Sequence, residues 1–304
     1  MYHQVCQTAR ECEISPALRV DVKSFENQMR VIKEIGVPLG LEEMIDRIKK
    51  QSRPDKLYFS ITFDDGYRDN YFHAYPILRK EFIPATVFVT TGFIDNRNSM
   101  IPWWDRTRRI AEKMGDLPTN ELKYLFDRVG FSHKDSRQAL FRALNRYRKE
   151  IVYGRIRDDE FVERLNNATS DILDNQALKW DDLIKMVGDG LISIGAHSVT
   201  HPSLAFCLDA GLAEIKDGID RIESMLQTRV SVFAYPFGKS CDYNQDTMRH
   251  LKELGIEAAL TTISGINDDR ADLFQMRRIP SSGMEGLDRF ITRIKCANIL
   301  GLKK

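Results

Sequence analysis

This chain of 304 residues is short of several things, and each shortage narrows what it can be. Its five cysteines (Cys6, Cys12, Cys207, Cys241, Cys296) are odd in number and include no Cys-x-x-Cys pair. That gives no disulfide framework and predicts reduced thiols in a reducing compartment. No stretch approaches the ~20 continuous apolar residues of a membrane span. Met1-Tyr2-His3-Gln4-Val5 has no basic region followed by an apolar core, so no signal peptide is visible and the expected location is cytoplasmic, with no transmembrane segment. Formal net charge is only +1, which gives no argument for nucleic acid or a membrane surface as partner. Internal repeats and low-complexity tracts are absent. What is present is ordinary for a globular protein, 42% apolar and 29% charged, in a length that holds one barrel-sized domain with room for an insertion.

Periodicity organises the chain. Phe25, Met29, Val31, Ile32 and Ile35 recur at helical spacing with Gly36 as a stop, and Leu41 to Ile48 repeats the pattern. Tyr58 to Phe63 reads as a buried strand, Ala74 to Phe82 as a helix and Ala85 to Thr90 as a second strand, a parallel crossover unit. The rhythm breaks over about 95–177. Trp103-Trp104 is followed there by helical, charge-dense sequence, with 15 Lys/Arg against 7 Asp/Glu between Arg97 and Arg157. A local balance of +8 leaves about −7 for the rest of the chain. We read this stretch as a helical insertion whose charge is ordinarily a solvated face, although an anionic glycan or lipid phosphate would suit it. Strands at Leu191–Ile194, Val230–Ala234 and Ala258–Thr262 then alternate with helices at Trp180–Val187, Ala210–Leu226 and Asn244–Leu254.

The polar clusters fall at strand ends, as functional residues do at the mouth of parallel α/β barrels. They are His3, Asp64-Asp65, His197 to His201, and Tyr235 to Gly238. His197 and His201 are two of only six histidines. At a spacing of four, one helical turn, they can grip one ion. If strand geometry persists through Asp64 and Asp65, the two carboxylates point to opposite sides and differ in role. Two histidines and a carboxylate suit Zn²⁺ or another divalent ion with an open position, and a second carboxylate beside it would serve as general base. The bland alternatives are an Asp-Gly turn after a strand and a histidine-bearing helix start.

Thr62-Phe63-Asp64-Asp65-Gly66 followed by His197-Ser198-Val199-Thr200-His201 resembles the polysaccharide deacetylase family, also called the NodB-homology or carbohydrate esterase 4 family. Ala74-Tyr75-Pro76-Ile77-Leu78, the run Ile83 to Val89 and Trp103-Trp104-Asp105 resemble the versions in bacterial exopolysaccharide clusters. The likeness covers about Met1 to Ile94 and Trp180 to Pro280. It implies a distorted (β/α)7 barrel, with Asp64 as general base and Asp65, His197 and His201 as metal ligands. The third family motif aligns with Ala234-Tyr235-Pro236-Phe237-Gly238, so the backbone N–H of Phe237 would complete an oxyanion hole. Ala234 departs from the pattern, because many members have an arginine there to orient the base. Arg277 or Arg278 can replace it from another strand end, and Arg278 is taken as the candidate. The usual late Leu-x-His is missing as well. Tyr2-His3 resembles the N-terminal element of a subgroup with rearranged motif order, making His3 the candidate acid for a leaving amine. Trp103 and Trp104 could line a sugar groove or anchor the insertion.

The expectation is a single barrel domain over 1–304 with a helical insertion at about 95–177. Its function would be zinc-dependent removal of N-acetyl or O-acetyl groups from amino sugars of a bacterial polysaccharide or a lipid-linked precursor. Two rivals stay open. A metal-bearing glycan-binding module that has lost catalysis predicts glycan binding without acetate release. A non-haem iron oxygenase uses the same donor set and predicts dependence on Fe²⁺ and O₂.

Overall fold

The computed structural model describes residues 1–7, 18–52, 56–95, 107, 119–130, 137–152, 176–281 and 286–301. β1 (Gln4–Cys6) pairs with β2 (Arg19–Asp21), and β3 (Val37–Pro38) with β4 (Tyr58–Phe59). The main sheet is five-stranded and wholly parallel: β5 (Ile61–Phe63), β6 (Ala85–Val89), β7 (Ile192–Ala196), β8 (Val232–Ala234) and β9 (Ala258–Leu260), side by side in chain order. Every residue of β5, β6, β8 and β9 is buried, the signature of a parallel sheet covered on both faces.

Hydrogen bonds extend this sheet at both edges. Tyr2 N–H donates to Thr62 O (2.8 Å) and Asp64 N–H to Tyr2 O (3.0 Å), while Met276 N–H donates to Ala259 O (3.0 Å) and Thr261 N–H to Met276 O (2.8 Å). The two extensions meet, because Ser281 N–H donates to Met1 O (2.9 Å) and the Met1 amino group to Ile279 O (3.0 Å). Five strands and two flanking segments therefore close a ring of seven, the distorted (β/α)7 barrel expected from the sequence.

Alternation along the strands sorts side chains into two cores. Phe88, Val232, Ala234, Ala258, Leu260 and Met276 gather inside the ring with Leu41 and Ile45 of the helix Leu41–Lys49. Val87, Val89, Phe233 and Ala259 face the larger core shared with the surrounding helices. Burying a side chain such as Phe88 contributes about 2–3 kcal/mol. Gly195 makes that possible, since a Cβ there would lie 2.3 Å from the Phe88 ring.

The helix α1 (Val22–Ile35) starts on Asp21, whose carboxylate accepts from Ser24 N–H at 2.8 Å, and buries Phe25, Met29 and Ile32. It stops at Gly36 as expected, but the reason is close approach and not a left-handed cap. Gly36 is extended (φ −171°), and a Cβ on it would meet Leu57 O at 2.3 Å. The strand expected over 58–63 is split at Ser60, whose hydroxyl donates to Leu39 O (3.1 Å), so its first half pairs with β3 and its second with β6. The helix expected over 74–82 is Tyr75–Glu81, preceded by a π-helical turn, Asn70–Ala74, that periodicity did not indicate.

The chain divides into two compact units, Met1–Asp95 with Gln176–Lys304, and Asn96–Asn175. Within the second, helices Thr119–Val129 and Arg137–Val152 pack on each other and bury Leu125, Phe126, Leu140, Leu144 and Tyr147. Trp103, Trp104 and Asp105 lie outside the described residues. The reduced-thiol expectation is corrected at Cys6, which is disulfide-bonded, while Cys207 and Cys241 are free. No helix among the described residues is long and apolar enough to cross a membrane.

Candidate active site

The segment after β5 delivers two carboxylates into different company. Asp64 meets Arg278, which stands on the last segment of the ring, between Met276 and Ile279. The guanidinium donates Nη1 to Oδ1 at 2.7 Å and Nη2 to Oδ2 at 2.8 Å, with Nε donating to Thr261 O at 2.8 Å. This two-pronged pair is 6% exposed or less, so neither charge is screened by water. Burial alone would raise the Asp64 carboxyl, but Arg278 and then His197 hold it well below the usual carboxylate range. Arg277, the other sequence candidate, is engaged through its backbone with Asn267 instead.

Asp65 meets the histidines. Its Oδ1 stands 3.5 Å from Nε2 of His197 and 3.5 Å from Nε2 of His201, and all three side chains are buried. That separation is too long for a strong hydrogen bond, and Oδ1 receives none of ordinary geometry. It matches the ~3.4 Å edge between two ligands that each stand ~2.1 Å from one tetrahedral ion. A buried carboxylate oxygen without a donor, facing two imidazole nitrogens, fits a divalent cation better than it fits any group of the chain. The Nδ1 side of His197 bonds Ala234 O at 2.7 Å, which points Nε2 at Asp65. Burial would lower His197, yet Asp65 and Asp64 raise it above its ordinary value. Burial and the neighbouring His197 push His201 down to about 3, keeping its imidazole neutral and ligand-ready at neutral pH.

The histidines do not lie on one helical turn, which corrects the spacing argument. They flank a bend in which Ser198 (φ 63°) and His201 (φ 61°) are left-handed, closed by His201 N–H to Ser198 Oγ at 3.0 Å. Nor do the aspartates alternate as on a strand, since Asp65 is also left-handed (φ 75°). With Phe237 (φ 60°), four of the seven positive-φ non-glycine residues among the described residues sit in these loops, and the other three, Gln51, Phe82 and Gln227, sit at helix ends. Strained backbone held away from helix ends marks a site whose side chains are aimed at some cost in stability.

Phe237 packs its ring edge-to-face on His201 (centroids 4.7 Å), and its carbonyl accepts from Thr262 Oγ1 at 2.6 Å, fixing the Pro236-Phe237-Gly238 turn at the rim of the cluster. His3 is half-buried and close enough to feel Asp65 and Asp64. Burial lowers its pKa, and those carboxylates partly oppose the shift. The structure thus brings together Asp64, Asp65, His197, His201 and Arg278, with His3 and Phe237 beside them. Sequence reasoning missed Glu214, whose carboxylate clamps the histidine bend through Val199 N–H (2.9 Å), Thr200 N–H (2.7 Å) and Thr200 Oγ1 (2.6 Å). One glutamate on a charged helix face gives no signal of such a role. A cavity of about 470 Å³, lined by Met44, Ile48, Phe59 and Phe290 among others, reaches the back of Arg278 but is lined by neither Asp64 nor Asp65 and by neither His197 nor His201. We place the chemistry at the polar cluster, because this cavity meets that cluster only at Arg278 and holds neither the carboxylates nor the imidazoles gathered there.

Known proteins share this chain's sequence pattern and fold. The sequence model of the polysaccharide deacetylase family matches residues 51–116 and 154–259. YxkH, a Bacillus subtilis (strain 168) protein named for the same family, is 33% identical over 289 residues, 94% of this chain and 72% of that protein. The poly-beta-1,6-N-acetyl-D-glucosamine N-deacetylase of Staphylococcus aureus is 38% identical over 80 residues, 26% of this chain and 27% of that one. Among solved structures, a Streptococcus pyogenes deacetylase, PplD, in complex with acetate superposes with a TM-score of 0.62 at 21% identity, covering 96% of this chain and 95% of that one, a likeness of fold. With over half its length under the family model and a relative one-third identical along nearly all of it, this chain belongs to the polysaccharide deacetylase family.

Proposed function

We propose that this deacetylase hydrolyses N-acetyl groups, and comparable O-acetyl groups, on amino sugars of a bacterial exopolysaccharide or its lipid-linked precursor, assisted by a divalent cation at Asp65, His197 and His201. The donor set of two imidazoles and one carboxylate suits Zn²⁺. A cation there supplies Lewis-acid polarisation of the acyl oxygen and lowers the pKa of water toward neutrality.

The chain's own groups supply the rest. Asp64, oriented by Arg278, accepts a proton from the attacking water as its oxygen bonds the acyl carbon. The Phe237 backbone N–H steadies the negative charge that develops on the acyl oxygen. His3 returns a proton to the sugar nitrogen as the C–N bond breaks, leaving acetate and a free amine; without it that nitrogen is a very poor leaving group. We place these steps in one barrel domain over 1–304 that carries a helical insertion at about 95–177.

The observation that carries this reading is the buried Asp65 Oδ1, without a donor and 3.5 Å from both imidazoles, one residue from a carboxylate gripped by arginine. The test is acetate release from N-acetylglucosamine oligomers before and after chelation, with melting temperature followed in parallel. Release should stop on chelation and return with Zn²⁺, and an ion at 100 times its Kd should stabilise the fold by about 2.7 kcal/mol. Release that ignores the chelator overturns the reading, and glycan binding without any release favours the non-catalytic module.

A further inference from the structure

The π-helical turn Asn70–Ala74 opens with a residue that the proposed chemistry does not use. Asn70 is 1% exposed, and its Nδ2 donates to the carbonyl of His3 at 2.8 Å and to Asp69 Oδ1 at 2.9 Å. Its own Oδ1 is buried without a donor. A buried amide left half satisfied destabilises the fold, so a side chain present only to fill space would be apolar. A π-turn widens the helix by one residue and recurs at functional sites. Here the widened turn sets Asn70 against a strand 67 residues away in sequence.

The placement matters because of what each side carries. Asn70 ends the segment that begins with Asp64 and Asp65, and its tether reaches the backbone of His3 itself. Backbone bonds Tyr2 N–H to Thr62 O and Asp64 N–H to Tyr2 O fix the same strand one residue earlier. Beyond Tyr2, Asn70 supplies a bond from the carboxylate segment to the histidine. Tyr2 is held from its far end by Gln28, whose Oε1 also accepts from Ser281.

We propose that Asn70 is the positioning residue for His3, tying the carbonyl of that residue to the Asp64–Asp65 segment so that proton donor and carboxylates keep one register. The proposal rests on the reading of His3 as the acid for the leaving nitrogen. It follows that Asn70 matters only when the leaving group needs a proton. An N-acetylated amine needs one; 4-nitrophenyl acetate does not, because nitrophenolate departs unprotonated.

The experiment measures Asn70→Ala and the isosteric Asn70→Asp, alone and combined with His3→Ala, on N-acetylglucosamine oligomers and on 4-nitrophenyl acetate, with melting temperature recorded for each. On the oligomers we expect kcat to fall about 10- to 100-fold with KM within about twofold. The aryl ester should be turned over at the wild-type rate, and neither Asn70 substitution should change the His3→Ala enzyme further. Asn70→Asp keeps the shape without the donor, so it carries the test if Asn70→Ala does not fold. Unchanged oligomer kcat, equal losses on both substrates, or full additivity with His3→Ala overturns the proposal. If His3→Ala keeps full oligomer activity, the acid reading falls and the proposal with it. If His3→Ala is crippled while both Asn70 variants are not, the acid reading stands and the proposal alone falls.

Discussion

Replacing Arg278 by methionine keeps bulk and stem but removes both prongs from Asp64 and the donor to Thr261 O. Stripping one partner from a buried ion pair costs about 3–5 kcal/mol, chiefly for the charge left behind. At roughly 2 °C per kcal/mol in a chain of this size, that is about 6–10 °C in Tm. The pH dependence identifies the cause. In the wild type the Asp64 carboxyl is depressed, so its contribution is present above the unfolded value of about 3.9 and is lost only as pH falls through the much lower folded value. Between pH 5 and 8 it is constant. Without Arg278, burial becomes the dominant influence and the folded carboxyl rises above the unfolded value. The variant then loses up to about 1.4 kcal/mol per pH unit as pH climbs above ~4. The Tm gap between variant and wild type should be small at pH 4 and widest near pH 8, with chelator in all samples. Adding Asp64→Asn should close most of that gap, because the stranded charge is gone. A gap that stays constant with pH, or is smaller than about 1 kcal/mol, would refute the account of this pair.

Two further perturbations probe the scaffold. Glu214→Gln weakens three bonds to the histidine bend without touching a ligand, so metal affinity by calorimetry should drop about tenfold while the fold stays intact. Gly36→Ala needs no unusual φ yet drives a Cβ into Leu57 O and the Phe59 ring, and should lower stability by about 1–3 kcal/mol in denaturant titration.

Much of this site was legible because it is local in sequence. Asp64-Asp65-Gly66 and His197 to His201 each arrive on one short loop, and the alternation of strands and helices gave the ring that gathers the loops together. The route was less legible than the outcome. A spacing of four suggested a helical turn, but left-handed Ser198 and His201 achieve the same convergence in a bend, and a serine gives no propensity signal for that conformation. Partners joined through space left still less trace. Arg278 stands 214 residues from Asp64, and only the vacancy at Ala234 suggested that an arginine had to come from elsewhere. The Ala234 carbonyl on His197, the Glu214 clamp and the Asn70 tether each come from one residue that sequence alone cannot tell from an ordinary strand, surface or turn position. Cys6 was misread for a related reason, because whether a thiol finds a partner is settled by the fold and not by spacing.

The central claim is that two adjacent aspartates divide the work, Asp65 holding the ion and Asp64 taking the proton. Asp64→Asn tests it most directly when bound metal and acetate release are measured on the same purified sample. The account predicts one equivalent of divalent ion per chain, as in the wild type, and acetate release reduced at least ~100-fold. Metal lost together with activity, or activity kept in full, would contradict it.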